Sequence, residues 1–242
     1  MQPTEDYRAS HLTAGDHYDD RLAAEPFDAY MAHWEQVHLD ALVRECFPSG
    51  VSRYLDFACG TGRAISTLAP LSKDAVGVDV SPSMLKVAQA KVPGATFHLA
   101  DLTKDDPDLG TFDLITSFRF FGNAQDALRE GVLRALVKRL APEGFLVINS
   151  HRNPRALYSL FGRVTGGNAG GMDLHLGKLR RLLQAHGLKI RHQRPIGAWM
   201  FRSRMLGSVR PDAPAAAAKE RRFSSPLLAG IAPDAIIVAQ RS

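Results

Sequence analysis

The most restrictive feature of the chain is the ten-residue segment YLDFACGTGR, residues 54–63. An apolar stretch with strand propensity, residues 51–57, runs directly into the glycine pair Gly60 and Gly62. Glycine allows a tight turn and a close approach of a ligand to the main chain. The segment therefore predicts a strand, a loop and a helix in that order, with a nucleotide-like ligand against the loop.

The composition predicts one folded domain in a reducing compartment. A chain of 242 residues with 45% hydrophobic and 23% charged residues can bury a large core. No apolar run approaches the roughly 20 residues of a membrane-spanning helix, and the first ten residues lack the pattern of a signal peptide. The two cysteines, Cys46 and Cys59, make no disulfide framework. We therefore expect a cytoplasmic protein without a transmembrane segment.

The charges are divided unevenly along the chain. Residues 1–150 contain 14 Lys and Arg against 21 Asp and Glu, whereas residues 151–242 contain 16 against 4. An acidic first part suits a cationic ligand, and a basic last part suits an anionic substrate, a nucleic acid or a membrane surface. A solvated basic face accounts for the same counts, so these partners stay open, peripheral membrane contact included.

Strand and helix patterns alternate along most of the chain. An amphipathic helix over 27–42 comes first, because its apolar residues recur at helical spacing. The later strands are predicted at 51–57, 75–80, 95–100, 112–117, 145–150, 188–196 and 235–240. The later helices are predicted at 62–70, from 82, at 124–140 and at 174–186. This order predicts an α/β fold with a mainly parallel sheet between two helical layers, which binds ligands at the carboxyl ends of its strands.

We expect residues 1–242 to form a single domain with four parts. They are a helical cap over 1–50, a ligand-binding core over 51–150, an excursion over 151–173 and the rest of the core over 174–242. The excursion leaves a strand at its carboxyl end and should overhang the ligand. Within the last part, 207–226 is rich in Pro, Ala and Ser, which predicts a mobile connection.

Three acidic residues fall at the ends of three successive predicted strands. Asp56 ends the first strand, Asp79 ends the second, and Asp101 follows the third. A carboxylate at the second strand end can accept hydrogen bonds from both hydroxyls of a ribose, and Asp101 can accept one from the amino group of adenine. Each acid alone reads equally well as a helix cap or a surface residue. Their common register favours a shared ligand.

Two other kinds of nucleotide site fit the glycine loop less well. A dinucleotide fingerprint needs a third small residue three positions after the second glycine, where this chain has the branched Ile65. A Walker phosphate loop needs Gly-Lys followed by Ser or Thr, and none follows here. The loop therefore suits a nucleoside without phosphates.

Five segments together resemble the class I S-adenosylmethionine-dependent methyltransferases. They are DFACGTGR, GVDVSPSML, HLADL, FDLITS and LAPEGFLVINS, and they follow in that family's order and spacing. The resemblance implies a three-layer sandwich around a seven-stranded, mostly parallel sheet of order 3-2-1-4-5-7-6. It also implies an antiparallel last strand and an N-terminal helical lid.

The resemblance further implies S-adenosylmethionine as the cofactor, and no metal. Asp56 and the glycine loop would line its methionine portion, Asp79 would hold its ribose, and Asp101 with Leu102 would bind its adenine. Tyr18 resembles the family's lid residue, although a packing role stays open. The implied cofactor residues are Tyr18, Asp56, Ala58, Gly60, Thr61, Gly62, Asp79, Val80, Met84, Asp101, Leu102, Ser117 and Phe118.

The acceptor side of the site should follow the fourth and fifth strands. Arg119, Phe120 and Phe121 come just after the fourth strand and are expected to line the acceptor pocket. Arg152 is suited to a carboxylate or phosphate on the substrate. His151, directly after the fifth strand, is the candidate general base, because a hydroxyl or amine acceptor must lose a proton. A polar loop residue is the alternative reading of His151.

The leading functional interpretation is methylation of an O or N atom of a small, anionic metabolite or natural-product intermediate. A methyltransferase acting on RNA or protein, recruited by the basic last part, is the first alternative. A cofactor-binding regulator without turnover is the second. The residues after the fourth strand, Ser-Phe-Arg-Phe, differ from the Asn-Pro-Pro-Tyr type of motif, which argues against the branches that methylate adenine or glutamine amides.

Overall fold

A computed structural model of the chain describes residues 17–164, 174–200 and 210–242. The strands are β1 Val51–Phe57, β2 Ser72–Asp79, β3 Thr96–Leu99, β4 Phe112–Ser117, β5 Leu140–Asn149, β6 Leu188–Ile196 and β7 Asp234–Arg241. The helices are α1 Tyr18–Ala24, α2 Pro26–Cys46, α3 Arg63–Leu68, α4 Pro82–Lys91, α5 Asp126–Arg139, α6 Leu157–Val164, α7 Leu176–Ala185 and α8 Pro214–Arg222. Short 3-10 turns lie at Ala69–Leu71 and Pro226–Gly230.

The seven strands form one sheet of order β3-β2-β1-β4-β5-β7-β6. All neighbouring pairs among β1 to β5 are parallel, and β7 runs antiparallel to both β5 and β6. The predicted fold class and strand order are therefore confirmed. Because β1, β2 and β4 lie side by side, their carboxyl ends meet at one edge of the sheet, where the acidic residues were predicted to converge.

A hydrophobic core lies on each face of the sheet. On one face, apolar side chains of α5 and α7 pack against residues such as Leu55 and Ile115. On the other face, α2, α3 and α8 pack against residues such as Tyr54 and Leu114. Successive strand residues point to opposite faces, so a central strand buried on both sides reads as a continuous apolar run. The sheet is thus covered by helices on both sides.

Most predicted elements lie within a few residues of their observed bounds, and β5 differs most. It begins at Leu140 rather than 145, and its pairing with β4 shifts register between Phe112 and Leu114. The sequence APEG, residues 141–144, lies at this irregularity. Pairing resumes at Phe145, so the predicted turn is an interruption inside a longer strand.

The segment predicted as a mobile connection, 207–226, is corrected by the structure for residues 214–222. These residues form α8, with Pro214 at its first position. The Glu220 side chain is buried and accepts hydrogen bonds from Tyr30 Oη at 2.7 Å and Trp199 Nε1 at 2.9 Å. A helix anchored by a buried carboxylate in this way is an integral part of the core.

Some predicted features lie outside the described residues. They include residues 1–16 of the N-terminal cap and residues 165–173 of the excursion, whereas α1, α2 and α6 are described. In the described ranges, every helix is too short or too polar to cross a lipid bilayer.

Candidate active site

A crevice lies at the carboxyl ends of β1, β2 and β4, as expected for this sheet. The predicted cofactor residues that line it are Tyr18, Asp56, Ala58, Gly60, Thr61, Asp79, Val80, Met84, Asp101 and Phe118. The predicted substrate residues that line it are Arg119 and Phe120. Further lining comes from residues outside the predicted set, among them Cys59, Arg63 and Leu128. The crevice therefore combines one acidic wall with one wall that carries arginine and phenylalanine.

Glycine suits the two loop positions, 60 and 62, for different structural reasons. Gly60 has φ +54°, and a Cβ atom placed on it would meet nothing within 4 Å. Gly62 has φ +82°, and a Cβ there would lie 3.0 Å from Ala88 Cβ of α4. Left-handed backbone favours glycine at both places. Gly60 leaves bare main chain beside open space, and Gly62 allows the loop to pack closely on α4.

Asp79, the last residue of β2, is held by two backbone groups. Its Oδ2 accepts a hydrogen bond from Gly60 N at 2.8 Å, and its Oδ1 accepts one from Ser81 N at 2.9 Å. Both oxygens of the carboxylate are therefore oriented by the main chain. The same carboxylate fixes the glycine loop and faces the crevice, 19 residues along the chain from Gly60.

Asp56 lies deeper and holds the start of α3. Its Oδ1 accepts a hydrogen bond from Thr116 Oγ1 at 2.7 Å, and its Oδ2 accepts one from Ile65 N at 3.1 Å. Burial raises the pKa of Asp56 to about 7, although both hydrogen bonds act in the opposite direction. A carboxyl group with this pKa changes its charge near neutral pH.

Asp101 follows β3 and organises its own loop. Its Oδ1 accepts hydrogen bonds from Thr103 N at 3.0 Å and from Thr103 Oγ1 at 2.6 Å. Lys104 Nζ lies 3.7 Å from its Oδ2. Asp101 therefore lines the crevice with a carboxylate whose direction is fixed by a local turn.

The N-terminal helix α1 reaches the crevice and the elements around it. Tyr18 lines the crevice, and the next residue, Asp19, accepts a hydrogen bond from Thr61 Oγ1 at 2.7 Å. Asp19 also forms an ion pair with Lys91 at the end of α4. The first described helix thus contacts both the glycine loop and α4, next to the place where a ligand would lie.

Just after each of three adjacent strands, one residue has the same disfavoured, left-handed backbone conformation. Ala58 after β1, Arg119 after β4 and Arg152 after β5 have φ of 54°, 59° and 57°. Non-glycine residues at such φ values are strained and concentrate at functional sites. The left-handed turns mark the exits of β1, β4 and β5 as a place where side-chain direction is constrained.

Arg119 is the centre of a buried ion-pair network at one end of the crevice. Its Nε lies 3.1 Å from Glu35 Oε1, and its backbone N donates to Asn149 Oδ1 at 2.7 Å. Arg63 donates to Glu35 Oε2 at 3.1 Å, and Asn149 Nδ2 donates to Glu35 Oε1 at 2.9 Å. Although burial alone would raise the pKa of Glu35, the guanidinium groups of Arg119 and Arg63 lower it to about 2.

Asp28, near the start of α2, connects the exits of β4 and β5. Arg119 Nη1 lies 3.4 Å from Asp28 Oδ1, and Arg152 Nη2 lies 2.8 Å from Asp28 Oδ2. The Arg152 guanidinium also sits over the Phe27 ring, 5.9 Å from its centroid. Arg152 is half-exposed and lies outside the set of crevice-lining residues. Two strained arginines therefore converge on one carboxylate.

His151, the predicted base, is buried behind this network. Its Nδ1 lies 2.9 Å from Asp234 Oδ2, and its Nε2 lies 3.6 Å from Asp28 Oδ1. Burial, and then the charge of Arg119, holds the pKa of His151 well below its usual range. Burial, and then the Glu35 carboxylate, raises the pKa of Asp234 well above its usual range. Both directions describe a neutral imidazole beside a protonated carboxyl group.

Glu35, His151 and Asp234 have ligand atoms within 4.8 Å of one another, the spacing of a metal site. Arg63 and Arg119 already place two positive charges against Glu35. Among the described residues, the cluster is therefore better explained as an ion-pair network than as a set of metal ligands.

Several predicted site residues lie outside the crevice lining. Leu102 and Phe121 are buried in the core that includes α5 and α7, so their expected contacts with cofactor and acceptor stay predictions. Gly62 lies between the lining residues Thr61 and Arg63 in the chain, and Ser117 directly precedes the lining residue Phe118. The Ser117 hydroxyl is buried without a hydrogen-bond partner among the described residues.

The sequence analysis missed five polar residues of the network, namely Asp28, Glu35, Arg63, Asn149 and Asp234. One of them carried a readable signal. Glu35 lies four residues after Met31, on the apolar face of the predicted helix, and a charge at a buried helical position requires a partner. The partners come from distant parts of the chain, so their contacts could not be read from spacing.

One region of the chain matches a known protein family. The family model for a methyltransferase domain matches residues 55–144, which span β1 to the first part of β5. This region is therefore similar to methyltransferase domains, and the sheet around it has the strand order that was expected for the Rossmann-like, class I methyltransferases.

Two curated relatives show where the likeness lies. A methyltransferase of Oceanobacillus iheyensis is 27% identical over 132 residues, which is 54% of this chain and 60% of the relative. The dTDP-4-amino-2,3,4,6-tetradeoxy-D-glucose N,N-dimethyltransferase of Saccharopolyspora spinosa is 36% identical over 111 residues, which is 44% of this chain and 43% of the relative. The chain spans about half the length of the curated relatives it matches.

Among solved structures, the likeness extends over the whole fold. The magnesium protoporphyrin IX methyltransferase of Synechocystis, solved with bound S-adenosylhomocysteine, superposes with a TM-score of 0.64 at 16% identity. The superposition covers 98% of this chain and 100% of that chain. Identity this low makes the comparison one of fold.

Proposed function

We propose that the chain is an S-adenosylmethionine-dependent methyltransferase that acts on a small-molecule acceptor. The observation that carries the proposal is the crevice in which Asp79 and bare main chain at Gly60 share one hydrogen bond beside open space. This arrangement suits a nucleoside held by its ribose, with no phosphate to be neutralised.

The crevice residues fit S-adenosylmethionine part by part. Asp79 would accept hydrogen bonds from the ribose hydroxyls, and the apolar side chains of Val80 and Met84 would flank the adenine. Asp101 would accept from the exocyclic amino group. Asp56 lies behind the glycine loop, where its carboxylate would complement the positive charge of the methionine portion.

The bound cofactor supplies a methyl group already activated by the sulfonium, so transfer is an in-line displacement. The bond from carbon to sulfur breaks as the bond from carbon to the acceptor atom forms, and the acceptor loses its proton. The protein's main task is then alignment at a near-attack distance. The left-handed residues Ala58 and Arg119, just after β1 and β4, set the direction in which the chain leaves these strands at the crevice.

The acceptor would enter at the end of the crevice formed by Tyr18, Phe118, Arg119 and Phe120. Two relatives act on small molecules by their names, a nucleotide-linked amino sugar and a magnesium porphyrin. A small molecule also suits a crevice that α1 partly covers, since Asp19 of that helix contacts the glycine loop.

The arginines near Arg119 support an anionic acceptor. Among the described residues, Arg63, Arg119 and Arg152 form ion pairs with the acids Glu35 and Asp28. Arg152 is the most exposed of the three guanidinium groups. A carboxylate or phosphate on the acceptor would meet the positive charge of the half-exposed Arg152.

The role of His151 as general base stays a prediction. Its Nε2 faces Asp28, and the residue lies outside the crevice lining. A proton from the acceptor would therefore need an intermediate group to reach His151, and the Asp28 carboxylate is one such group. These contacts support a positioning role, through Asp28 and Arg119, more strongly than direct proton abstraction.

Calorimetric titration of the purified chain with S-adenosylhomocysteine tests the cofactor assignment. We expect binding by the wild type and a loss of at least about tenfold in affinity for Asp79→Ala, because one ribose-binding carboxylate is worth roughly 1.4 kcal/mol or more. Asp108→Ala is the matched control, since Asp108 is an exposed acid outside the crevice. Equal affinity of the Asp79→Ala variant and the wild type would refute the assignment.

Incubation of metabolite extracts with isotopically labelled methyl donor then identifies the acceptor. We expect label in one small anionic product, and none with the Asp79→Ala variant. Label that appears only in RNA or in protein would replace the small-molecule proposal. Tight cofactor binding with no labelled product would instead favour a regulator without turnover.

A further inference from the structure

The outer edge of the sheet carries a basic groove away from the crevice. Six consecutive residues of β6, Lys189 to Arg194, line it. Successive residues of a strand point to opposite faces of the sheet, so a run of consecutive lining residues means that the groove follows the edge of the strand. Among the described strands, β6 pairs with β7 alone, and the groove therefore lies along its unpaired side.

The walls of this edge groove come from both helical layers. Arg180 and Gln184 of α7 line one wall, and Leu42 of α2 and Arg221 of α8 line the other. Since α7 packs on one face of the sheet and α2 and α8 pack on the other, the groove lies between the two helical layers. Its floor is the free edge of β6, where backbone N–H and C=O groups alternate and where the pairing register with β7 shifts between Ile190 and His192.

The charged side chains that line the edge groove are all basic. Its lining includes Arg180, Lys189, Arg191, Arg194 and Arg221, together with His192, and the described lining residues include no Asp or Glu. Arg194 has a partner, Glu45, at 3.1 Å, whereas Lys189 and Arg191 are exposed. The groove therefore attracts an anionic occupant along a length of about 20 Å, the span of six residues in a strand.

We propose that the edge groove binds an acidic, extended peptide segment of a partner protein, which adds to the sheet as a strand beside β6. Main-chain hydrogen bonds to the free edge would supply affinity, and the basic walls would select acidic side chains. The proposal is independent of the methyl-transfer function, since none of these residues lines the crevice.

Two other occupants fit the lining less well. Single-stranded nucleic acid binds on aromatic side chains that stack with its bases, and within the described part of the chain the lining of this groove contains no Phe, Tyr or Trp. A second copy of the chain paired through β6 would place Lys189 and Arg191 against the same cations of its partner. Like charges placed opposite each other across strands are destabilising.

Fluorescence anisotropy with the full chain tests the proposal. The probe is a labelled peptide of about eight residues in which glutamate and threonine alternate, matched to the length of the groove. We expect saturable binding that weakens with salt. We also expect at least about a tenfold loss of affinity when proline replaces threonine, because proline cannot donate to a strand.

The variant Lys189→Glu/Arg191→Glu should weaken the binding of the glutamate–threonine peptide by at least about tenfold. Lys86→Glu/Arg134→Glu changes the net charge equally at exposed positions outside the groove, and it should bind nearly as the wild type does. Binding of S-adenosylhomocysteine should be the same in all three proteins, which separates this test from that of the crevice.

Three results would overturn the proposal. They are no saturable binding of the acidic peptide, equal binding of its proline-containing counterpart, and equal losses in the two double variants. Tighter binding of a single-stranded RNA of matched charge would assign the groove to nucleic acid instead.

Discussion

At the scale of single residues, the site depends on carboxylates that serve the fold and the crevice together. Asp79 fixes Gly60 and Ser81 through their backbone N–H groups, and Asp56 fixes Ile65 at the start of α3. The acids predicted as ligands of a cofactor therefore also shape the loop that would receive it. A residue with both tasks tolerates substitution poorly, even in the absence of ligand.

Asp56 should make the stability of the protein depend on pH. Its pKa is raised by burial from 3.8 to about 7, so the folded state binds this proton more tightly than the unfolded state does. The contribution of this proton to the free energy of unfolding is fully present below about pH 4 and is lost as the pH rises to about 7. We expect Asp56→Asn to reduce this fall in the free energy of unfolding by a few kcal/mol, because each tenfold difference in proton affinity between the two states corresponds to about 1.4 kcal/mol.

Urea unfolding at several pH values between about 4 and 8 measures this effect. Asn fits the site, because its amide can donate to Thr116 Oγ1 while its oxygen accepts from Ile65 N. Asp108→Asn, an exposed acid, is the control and should follow the wild-type profile. Parallel profiles of wild type and Asp56→Asn would show that Asp56 keeps its ordinary pKa.

At the scale of elements, the sequence predicts the parallel core well and the additions to it poorly. The strands β1, β4 and β6 match their predicted bounds, because each is a hydrophobic or β-prone run with a clear end. β1 runs into the glycine loop, β4 ends at the polar Ser117, and Gly197 follows β6. The composition of 207–226 suggests a linker, but its alanines are also strong helix formers, and burial of Glu220 decides between the two. Such burial depends on tertiary contacts with residues that are distant in the chain, so the local sequence does not reveal it.

The charged network could not be predicted for the same reason. Asp28 and Glu35 lie on α2, whereas Asp234 begins β7, some two hundred residues later in the chain. Only the folded sheet, with β7 inserted beside β5, brings Asp234 to His151. Spacing arguments locate residues within one element or in adjacent units, and they do not reach across the whole topology.

The anchoring of α8 leads to a stability prediction. Glu220 accepts hydrogen bonds from Tyr30 Oη, Trp199 Nε1 and the backbone N of Gly197. Glu220→Ala removes the acceptor of the Tyr30 hydroxyl and of Gly197 N, and it leaves Trp199 Nε1 with the longer hydrogen bond to Tyr30 Oη at 3.3 Å. We expect it to lower the free energy of unfolding by about 2–4 kcal/mol. Chemical unfolding followed by Trp fluorescence measures the change.

Two further variants control that experiment. Arg222→Ala changes an exposed residue of the same helix and should stay within about 0.5 kcal/mol of the wild type. Tyr30→Phe removes one donor and should cost less than Glu220→Ala. A Glu220→Ala protein as stable as the wild type would mean that α8 contributes little to the core.

At the scale of the whole molecule, ligand binding should stabilise the fold, because the crevice joins α1, the glycine loop and three strands. At 100 times the dissociation constant a ligand adds about 2.7 kcal/mol, which corresponds to roughly 5–10 °C in Tm for a chain of this length. We expect S-adenosylhomocysteine to raise Tm by about this amount in a thermal shift measurement.

NADH is the informative control for this measurement. The buried Ile65 stands where a dinucleotide loop needs a third small residue, so the pyrophosphate has no close approach to the helix. NADH should therefore leave Tm within about 1 °C of the free protein, well below the shift that a bound ligand gives. An equal shift with both ligands would show that the loop does not discriminate against phosphates.

The left-handed exits of β1, β4 and β5 also limit how this scaffold is engineered. If the loops after β4 and β5 were exchanged, the new loops would keep the strained backbone at Arg119 and Arg152, because these two residues set the direction of the chain that follows. A graft that relaxes either turn would redirect the inserted segment, whatever its own sequence. Of these three residues, Ala58 is the one at which glycine would remove the strain without deleting a charge. Ala58→Gly is therefore the first substitution to try for stabilising the scaffold before new loops are introduced.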